Sequence, residues 1–242
     1  MSLFNDEFEG ESIPPNANQK AYMVKFIIVG DSGVGKSQII IRFVHDKFDD
    51  AHGPSLVCEY GSKHIIYNNT DYLVQIMDTA GQEQFKSITR GYYKESAVAI
   101  LVYDITNVES FNNIKDWLED CKNLAPSKTL LVLIGNKIDK EEERAITKEM
   151  GEEFATENGM LFFETSALSG IGIENVFQKC VENIDKRINE GFYDLNDMSG
   201  NGIKKMKIYG ENRVGEFIVD KKALAEGNKS KKKNKKNCCV SK

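Results

Sequence analysis

Along this chain, short runs that are apolar at nearly every position alternate with longer stretches in which apolar residues recur every three or four positions. Residues 22–29 read Y-M-V-K-F-I-I-V, 97–103 read A-V-A-I-L-V-Y and 130–134 read L-L-V-L-I. Runs of this kind, bounded by turn residues, fit strands buried on both faces. The spacing between them predicts helices. Ile39, Ile40 and Phe43 fall on one side of a helix over 36–45, and Phe111, Ile114, Leu118 and Cys121 share a face of another. Residues 147–158 read as a third helix, and Ile173, Val176, Phe177, Cys180, Val181 and Ile184 form the stripe of a fourth over 173–188. A strand is expected at 160–163, and two more flank Asn68-Asn69-Thr70, a plausible hairpin turn. Strands alternating with helices imply an α/β fold on a mostly parallel sheet, with ligands at the carboxyl ends of the strands.

The two ends lack this rhythm. Residues 1–20 hold Pro14-Pro15 and several acids without a period, and read as a disordered arm. From Gly191 onward the pattern decays into what reads as a weakly ordered linker, in which E-F-I-V at 216–219 is the one stretch that could dock. The expected division is an acidic extension over 1–20, a folded domain over 21–189, a linker with a basic end over 190–236 and a short tail over 237–242.

Composition narrows the class. With 242 residues, 40% hydrophobic and 29% charged, the chain has a real core. No run of about 18 apolar residues is present, so no transmembrane helix is expected. The acidic start lacks a secretory signal, and Ser2 stands where myristoylation requires glycine. Cys58, Cys121 and Cys180 are scattered, so neither a disulfide framework nor a zinc site is expected. Residues 229–242 carry seven lysines and no acid; subtracting that +7 from the whole-chain −5 leaves −12 for the body. An acidic body argues against nucleic acid as a partner.

Gly30-Asp31-Ser32-Gly33-Val34-Gly35-Lys36-Ser37 matches G-x-x-x-x-G-K-[ST], with a strand before it and a helix after it. A ligand-free glycine-rich turn is the plain alternative, and the flanking elements favour a phosphate loop. In such a loop successive N–H groups, here from Ser32 to Gln38, wrap phosphate oxygens at a helix N-terminus. Lys36 reaches the β- and γ-phosphates and the Ser37 hydroxyl can bind Mg²⁺. Asn136-Lys137-Ile138-Asp139 follows a buried strand. The Asp139 carboxylate can accept two donors from guanine, whereas adenine would leave it unpaired, so the base expected is guanine.

With these motifs the chain resembles the Ras-like small GTPases over roughly residues 22–189. Asp78-Thr79-Ala80-Gly81-Gln82-Glu83 is similar to their D-T-A-G-Q-E, and Thr165-Ser166-Ala167 to their T-S-A. The resemblance implies a phosphate-loop G domain: a six-stranded, mostly parallel sheet with one antiparallel strand, flanked by five helices. It implies GTP and GDP as ligands with Mg²⁺ held by Ser37, Ser55 and, through water, Asp78. It makes Gly81 the sensor of the γ-phosphate and Gln82, with Lys36, the catalytic pair. Phe48 falls where the family packs a ring on the base. By the same resemblance the Ala167 N–H meets guanine O6, and Ser166 and Leu168 beside it belong to the nucleotide site. Partners implied are an exchange factor, an activating protein that supplies an arginine finger, and effectors; intrinsic turnover is expected to be slow.

Within the superfamily the chain looks most like the Rab branch, through L-V-Y-D-I-T at 101–106, Q-F-K-S-I-T at 84–89, Y-Y-K at 92–94 and E-S-F-N-N-I-K-D-W-L at 109–118. That resemblance implies a monomeric switch in vesicle trafficking. It sits on the cytoplasmic face of an intracellular membrane, with a cytosolic pool kept by a GDP-dissociation inhibitor. Three departures stand out. Ser55, preceded by Pro54, replaces the switch threonine; Met77 replaces a tryptophan, so the effector triad reads Tyr60, Met77 and Tyr92; and Leu168 replaces a lysine. Cys238 and Cys239, three residues from the end, look like the two geranylgeranyl acceptors served by an escort protein and a geranylgeranyl transferase. Two chains anchor stably where one does not, and nearby lysines add attraction to an anionic leaflet. A membrane scaffold with impaired hydrolysis is the alternative set by the altered switch. A phosphate-loop kinase would need an acceptor pocket and a lid, and the sequence suggests neither.

Overall fold

Strand β1 (Lys20–Val29) is the axis of the sheet in this computed structural model, which describes residues 20–48, 60–78, 91–195 and 201–206. It pairs in parallel with β3 (Thr70–Asp78) on one side and with β4 (Val98–Asp104) on the other. Beyond β4 lie β5 (Leu130–Asn136) and β6 (Leu161–Thr165), also parallel. β2 (Tyr60–Tyr67) runs antiparallel at the β3 edge, giving the order β2-β3-β1-β4-β5-β6. The β2–β3 turn is Asn68-Asn69, both at positive φ (47° and 58°), as a two-residue hairpin loop with matching twist requires. All of the described residues fall in one compact unit, Asn16–Lys207.

The sheet is covered on both faces, which is why its central strands show no polar alternation. Val24, Phe26 and Ile28 of β1 join Ile100, Val102, Val132 and Ile134 under α1 (Lys36–His45) and α5 (Ile173–Asn189). Ile27, Val29, Ala99, Leu101 and Leu133 face the other way, toward α3 (Ile114–Leu124) and α4 (Lys148–Glu157). The expected stripe on α5 is buried, and its Phe177 ring stacks on Phe43 of α1 at 3.7 Å between centroids. The helix expected through Phe111 and Cys121 divides at Asn113 into α2 (Val108–Asn112) and α3. Cys121 and Cys180 are buried free thiols, and burial pushes the Cys121 thiol up to about 12, which leaves it inert.

One buried carboxylate fastens the hairpin to the last helix. Asp185 of α5 accepts from the Tyr72 hydroxyl (2.5 Å), Asn68 Nδ2 (3.1 Å) and Asn189 Nδ2 (3.1 Å). The carboxyl ends of β1, β3, β4, β5 and β6 come out at one end of the sheet. They place Gly30, Asp78, Asp104, Asn136 and Thr165 side by side there.

A seventh strand lies within the stretch after residue 190. β7 (Ile203–Lys205) returns to pair antiparallel with β1, Val24 opposite Ile203 and Tyr22 opposite Lys205. β4 pairs with β1 only from Phe26 onward, so the start of β1 has a vacant edge, and β7 fills it. Tyr193 and Ile203 are buried on the way, and Lys128 Nζ donates to the Phe192 carbonyl (2.5 Å) while lying over the Phe192 ring. Gly202 makes the contact close. Its φ is +67°, its carbonyl accepts from the Lys25 N–H (2.8 Å), and a Cβ there would lie 2.3 Å from the Ala97 nitrogen. The stretch 216–219 and the arm before Lys20 lie outside the described residues. Gly202→Ala is expected to detach β7 at a cost of about 1–3 kcal/mol, since both the backbone conformation and the backbone contact oppose a side chain. Urea unfolding should show the loss, and hydrogen exchange should show the Lys25 amide losing protection; an unchanged Lys25 amide would refute the pairing.

Candidate functional site

The turn after β1 is held in shape by its glycines and by neighbours on four elements. Gly30 has φ +142°, and a Cβ on it would lie 2.2 Å from the Val102 carbonyl oxygen of β4, so no other residue fits. Gly33 and Gly35 have φ +79° and +100°. Lys36, buried at the first position of α1, donates from Nζ to the carbonyls of Gly30 (2.6 Å) and Asp31 (2.7 Å). The ammonium thus sits across the mouth of the loop, where phosphate oxygens would meet it together with the α1 N-terminus. Arg42, further along α1, turns away from this loop. Its guanidinium donates to the carbonyls of Ala167 (3.0 Å) and Leu168 (2.6 Å).

Asn136 joins this loop to the turn after β6. Its Nδ2 donates to the Val34 carbonyl (2.9 Å), and its Oδ1 accepts from the Thr165 hydroxyl (3.1 Å) and the Ala167 N–H (3.2 Å). A guanine O6 would compete with the Asn136 oxygen for the Ala167 proton. Asp139 opens a 3-10 turn (Ile138–Glu143), and its Oδ1 accepts from the Ser166 hydroxyl, which itself accepts the Ser169 N–H (3.0 Å). Asp139 is exposed while Ser166 is buried, so the serine orients a carboxylate that remains open to a ligand. Phe48 is half-buried and packs against the α1 and α5 side of the core.

Sequence reasoning missed what holds Lys137. This residue sits at φ +73°, and its ammonium lies 2.7 Å from Asp104 Oδ2 at the end of β4. Burial alone would raise the Asp104 carboxyl. The Lys137 ammonium and the N–H and hydroxyl of Thr106 outweigh it and hold the group below the usual carboxylate range. No local spacing links positions 104 and 137; only the parallel β4–β5 register, Asp104 opposite Asn136, brings them together.

The oxygen groups present fit Mg²⁺. The Ser37 hydroxyl donates to Asp78 Oδ2 at 2.5 Å, and Asp78 is fully buried. Among the described residues no cluster of three or more His, Cys, Asp or Glu could hold an ion unaided. Ser55, Gly81 and Gln82 lie outside the described residues, as do Cys238 and Cys239.

A phosphate loop on β1, a hydroxyl–carboxylate pair beside it and a carboxylate positioned for a base define a nucleotide-binding G domain. The model of the Ras family matches residues 25–186, well over half of the chain. The chain belongs to the Ras family of small GTPases, which bind GTP and GDP, use Mg²⁺, hydrolyse GTP and work with exchange factors, activating proteins and effectors. The match stops before β7, so the returning strand lies outside the family domain.

The Asp104–Lys137 contact predicts an acid dependence. A carboxyl whose folded pKa lies below its unfolded value, near 3.9, stabilises the fold above that pH, and the contribution is lost as pH falls through the folded pKa. Melting curves between pH 6 and 3 should therefore show the native chain losing more stability than Asp104→Asn; parallel losses would remove Asp104 from the account.

Proposed function

We propose that this chain is a Rab-type switch of vesicle trafficking. It is anchored by Cys238 and Cys239 to the cytoplasmic face of an intracellular membrane and drawn into a cytosolic pool by a GDP-dissociation inhibitor. The observation that carries the reading is the pair of adjacent cysteines behind a lysine run on an otherwise acidic chain that belongs to the Ras family. Two lipid chains give stable residence, and each lysine near an anionic leaflet adds about 1 kcal/mol. An escort protein and a geranylgeranyl transferase would install the lipids. Tyr60 and Met77 are cross-strand neighbours, and Met77 and Tyr92 both pack against the α3 side of the core, which supports one effector surface. Methionine lacks a rigid aromatic face, so this surface would select partners differently from one with tryptophan.

In the reaction a water oxygen attacks the γ-phosphorus, the bond to the β–γ bridging oxygen breaks, and the products are GDP and phosphate with release of a proton. Lys36 offsets charge on the β- and γ-phosphates, and the loop N–H groups hold them in place. Gln82 orients the water. Ser37, Asp78 and Ser55 would hold Mg²⁺, which supplies charge neutralisation on the phosphates. An arginine from an activating protein completes the charge balance, so turnover by the chain alone is slow. The γ-phosphate orders the segments around Ser55 and Gly81, and hydrolysis releases them. The altered Pro54-Ser55 segment favours a second reading, a membrane scaffold that binds GTP and hydrolyses it poorly.

Phosphate release from GTP separates the two. The switch predicts slow hydrolysis that Gln82→Leu reduces at least tenfold, and equal rates in the two proteins would leave the scaffold. Replacing Cys238 and Cys239 together by serine should leave GTP binding intact and move the chain from membranes to the soluble fraction of cells. Membrane residence that survives the double change would refute the anchor.

A further inference from the structure

The phosphate loop contains an acid. Asp31 follows Gly30 directly, in a segment whose N–H groups face phosphates, and a carboxylate there would repel a nucleotide if it turned inward. It is held outward instead. Its Oδ1 accepts the indole Nε1–H of Trp117 (2.8 Å), and its Oδ2 accepts Nδ2 of Asn113 (2.8 Å). Asn113 caps α3, and Trp117 lies one turn further along, so one helix end supplies both donors. Both bonds go to an ionised acceptor, the stronger class of hydrogen bond.

We propose that Asp31, Asn113 and Trp117 form a clamp by which α3 holds the phosphate loop in its nucleotide-binding shape, making Trp117 and Asn113 positioning residues that set how long the chain retains GDP or GTP. The inference rests on the nucleotide-binding reading of this loop. Three of its eight residues are glycines, which lose the most conformational freedom on ordering. Other side-chain restraints on the loop include Lys36, on the Gly30 and Asp31 carbonyls, Asn136, on the Val34 carbonyl, and Ser37, on Asp78; all three belong to the nucleotide site itself. The Asp31 carboxylate is fastened to a helix outside that site, so this restraint uses no group that a nucleotide would engage. It also gives α3 a direct mechanical line to the loop, 86 positions apart in sequence between Asp31 and Trp117.

Trp117 is the only tryptophan in the chain, so its indole N–H gives a single resonance in a nitrogen–proton spectrum of the full-length protein. Asp31→Ala should move that resonance and speed its exchange with water, whereas Asp31→Asn, which keeps an acceptor, should largely preserve it. Release of a fluorescent GDP analogue should be about tenfold faster in Trp117→Phe and in Asp31→Ala, the size expected for one bond to a charged group. Asn113→Ala should quicken release in the same direction, and guards against Trp117→Phe failing to fold. The Asp31→Ala/Trp117→Phe double variant should be no faster than Asp31→Ala alone, because the two changes break one contact. Asp31→Asn should release GDP within about threefold of the native rate. An indole resonance unmoved by Asp31→Ala, release rates within about threefold of native in Trp117→Phe and Asn113→Ala, or additive effects in the double variant would each overturn the clamp. A native chain that retains no guanine nucleotide would overturn the nucleotide reading, and the indole resonance would still decide whether the contact exists.

Discussion

The nucleotide site depends on one buried amide. Asn136, at the end of β5 and 1% exposed, is bonded on one side to the phosphate loop and on the other to the turn that would meet the base. The two halves of the site come from turns more than a hundred residues apart, and this side chain makes them a single body. Its position also dictates a glycine, because a Cβ on Gly35 would lie 2.4 Å from its Nδ2. A buried network with every member satisfied rigidifies its surroundings. Loss of this amide would strand the Val34 carbonyl, the Thr165 hydroxyl and the Ala167 N–H together.

Around that joint the fastenings run in a ring. α1 starts at the phosphate loop with Lys36 and Ser37, and further along presents Arg42 to the carbonyls of Ala167 and Leu168, so one helix serves both halves of the site. Arg144 forks between Glu164 on β6 and Glu141 in the turn after Asp139. A planar guanidinium suits that double contact in a way an ammonium does not. Lys137 meets Asp104, and Asp31 meets α3. These partly buried contacts carry more weight than exposed pairs such as Lys148–Glu152 and Lys186–Glu190, which add little in water.

Much of this was legible in the sequence because two faces of the sheet had to be covered. Burial on both sides produces the unbroken runs of β1, β4 and β5, and one-sided burial produces the stripe of α5. The loop from Gly30 to Ser37 is local, and its geometry follows from glycine and helix-start chemistry alone. What stayed hidden is relational. Nothing near Asp104 names Lys137, and nothing near Asp31 names Trp117; the register of parallel strands and the packing of α3 bring them together. β7 was hidden for another reason. Three residues, I-K-K, carry no period, and they form a strand only because β4 begins too late to cover the start of β1.

That vacancy has a consequence for the tail. The chain does not leave the domain at the end of α5; it is fixed again at Met206, whose N–H donates to the Ala21 carbonyl (2.8 Å). This point lies at the start of β1, the end of the sheet remote from the phosphate loop, a separation of about 25–30 Å along the strand. If Cys238 and Cys239 carry lipid, the span that can reach a bilayer starts after Met206, with an upper limit of about 110 Å, rather than after Glu190, with about 160 Å. With lipid on those cysteines, the returning strand would shorten the tether's upper limit by about a third. The same strand places Lys204 and Lys205 opposite Met23 and Tyr22, at the start of β1.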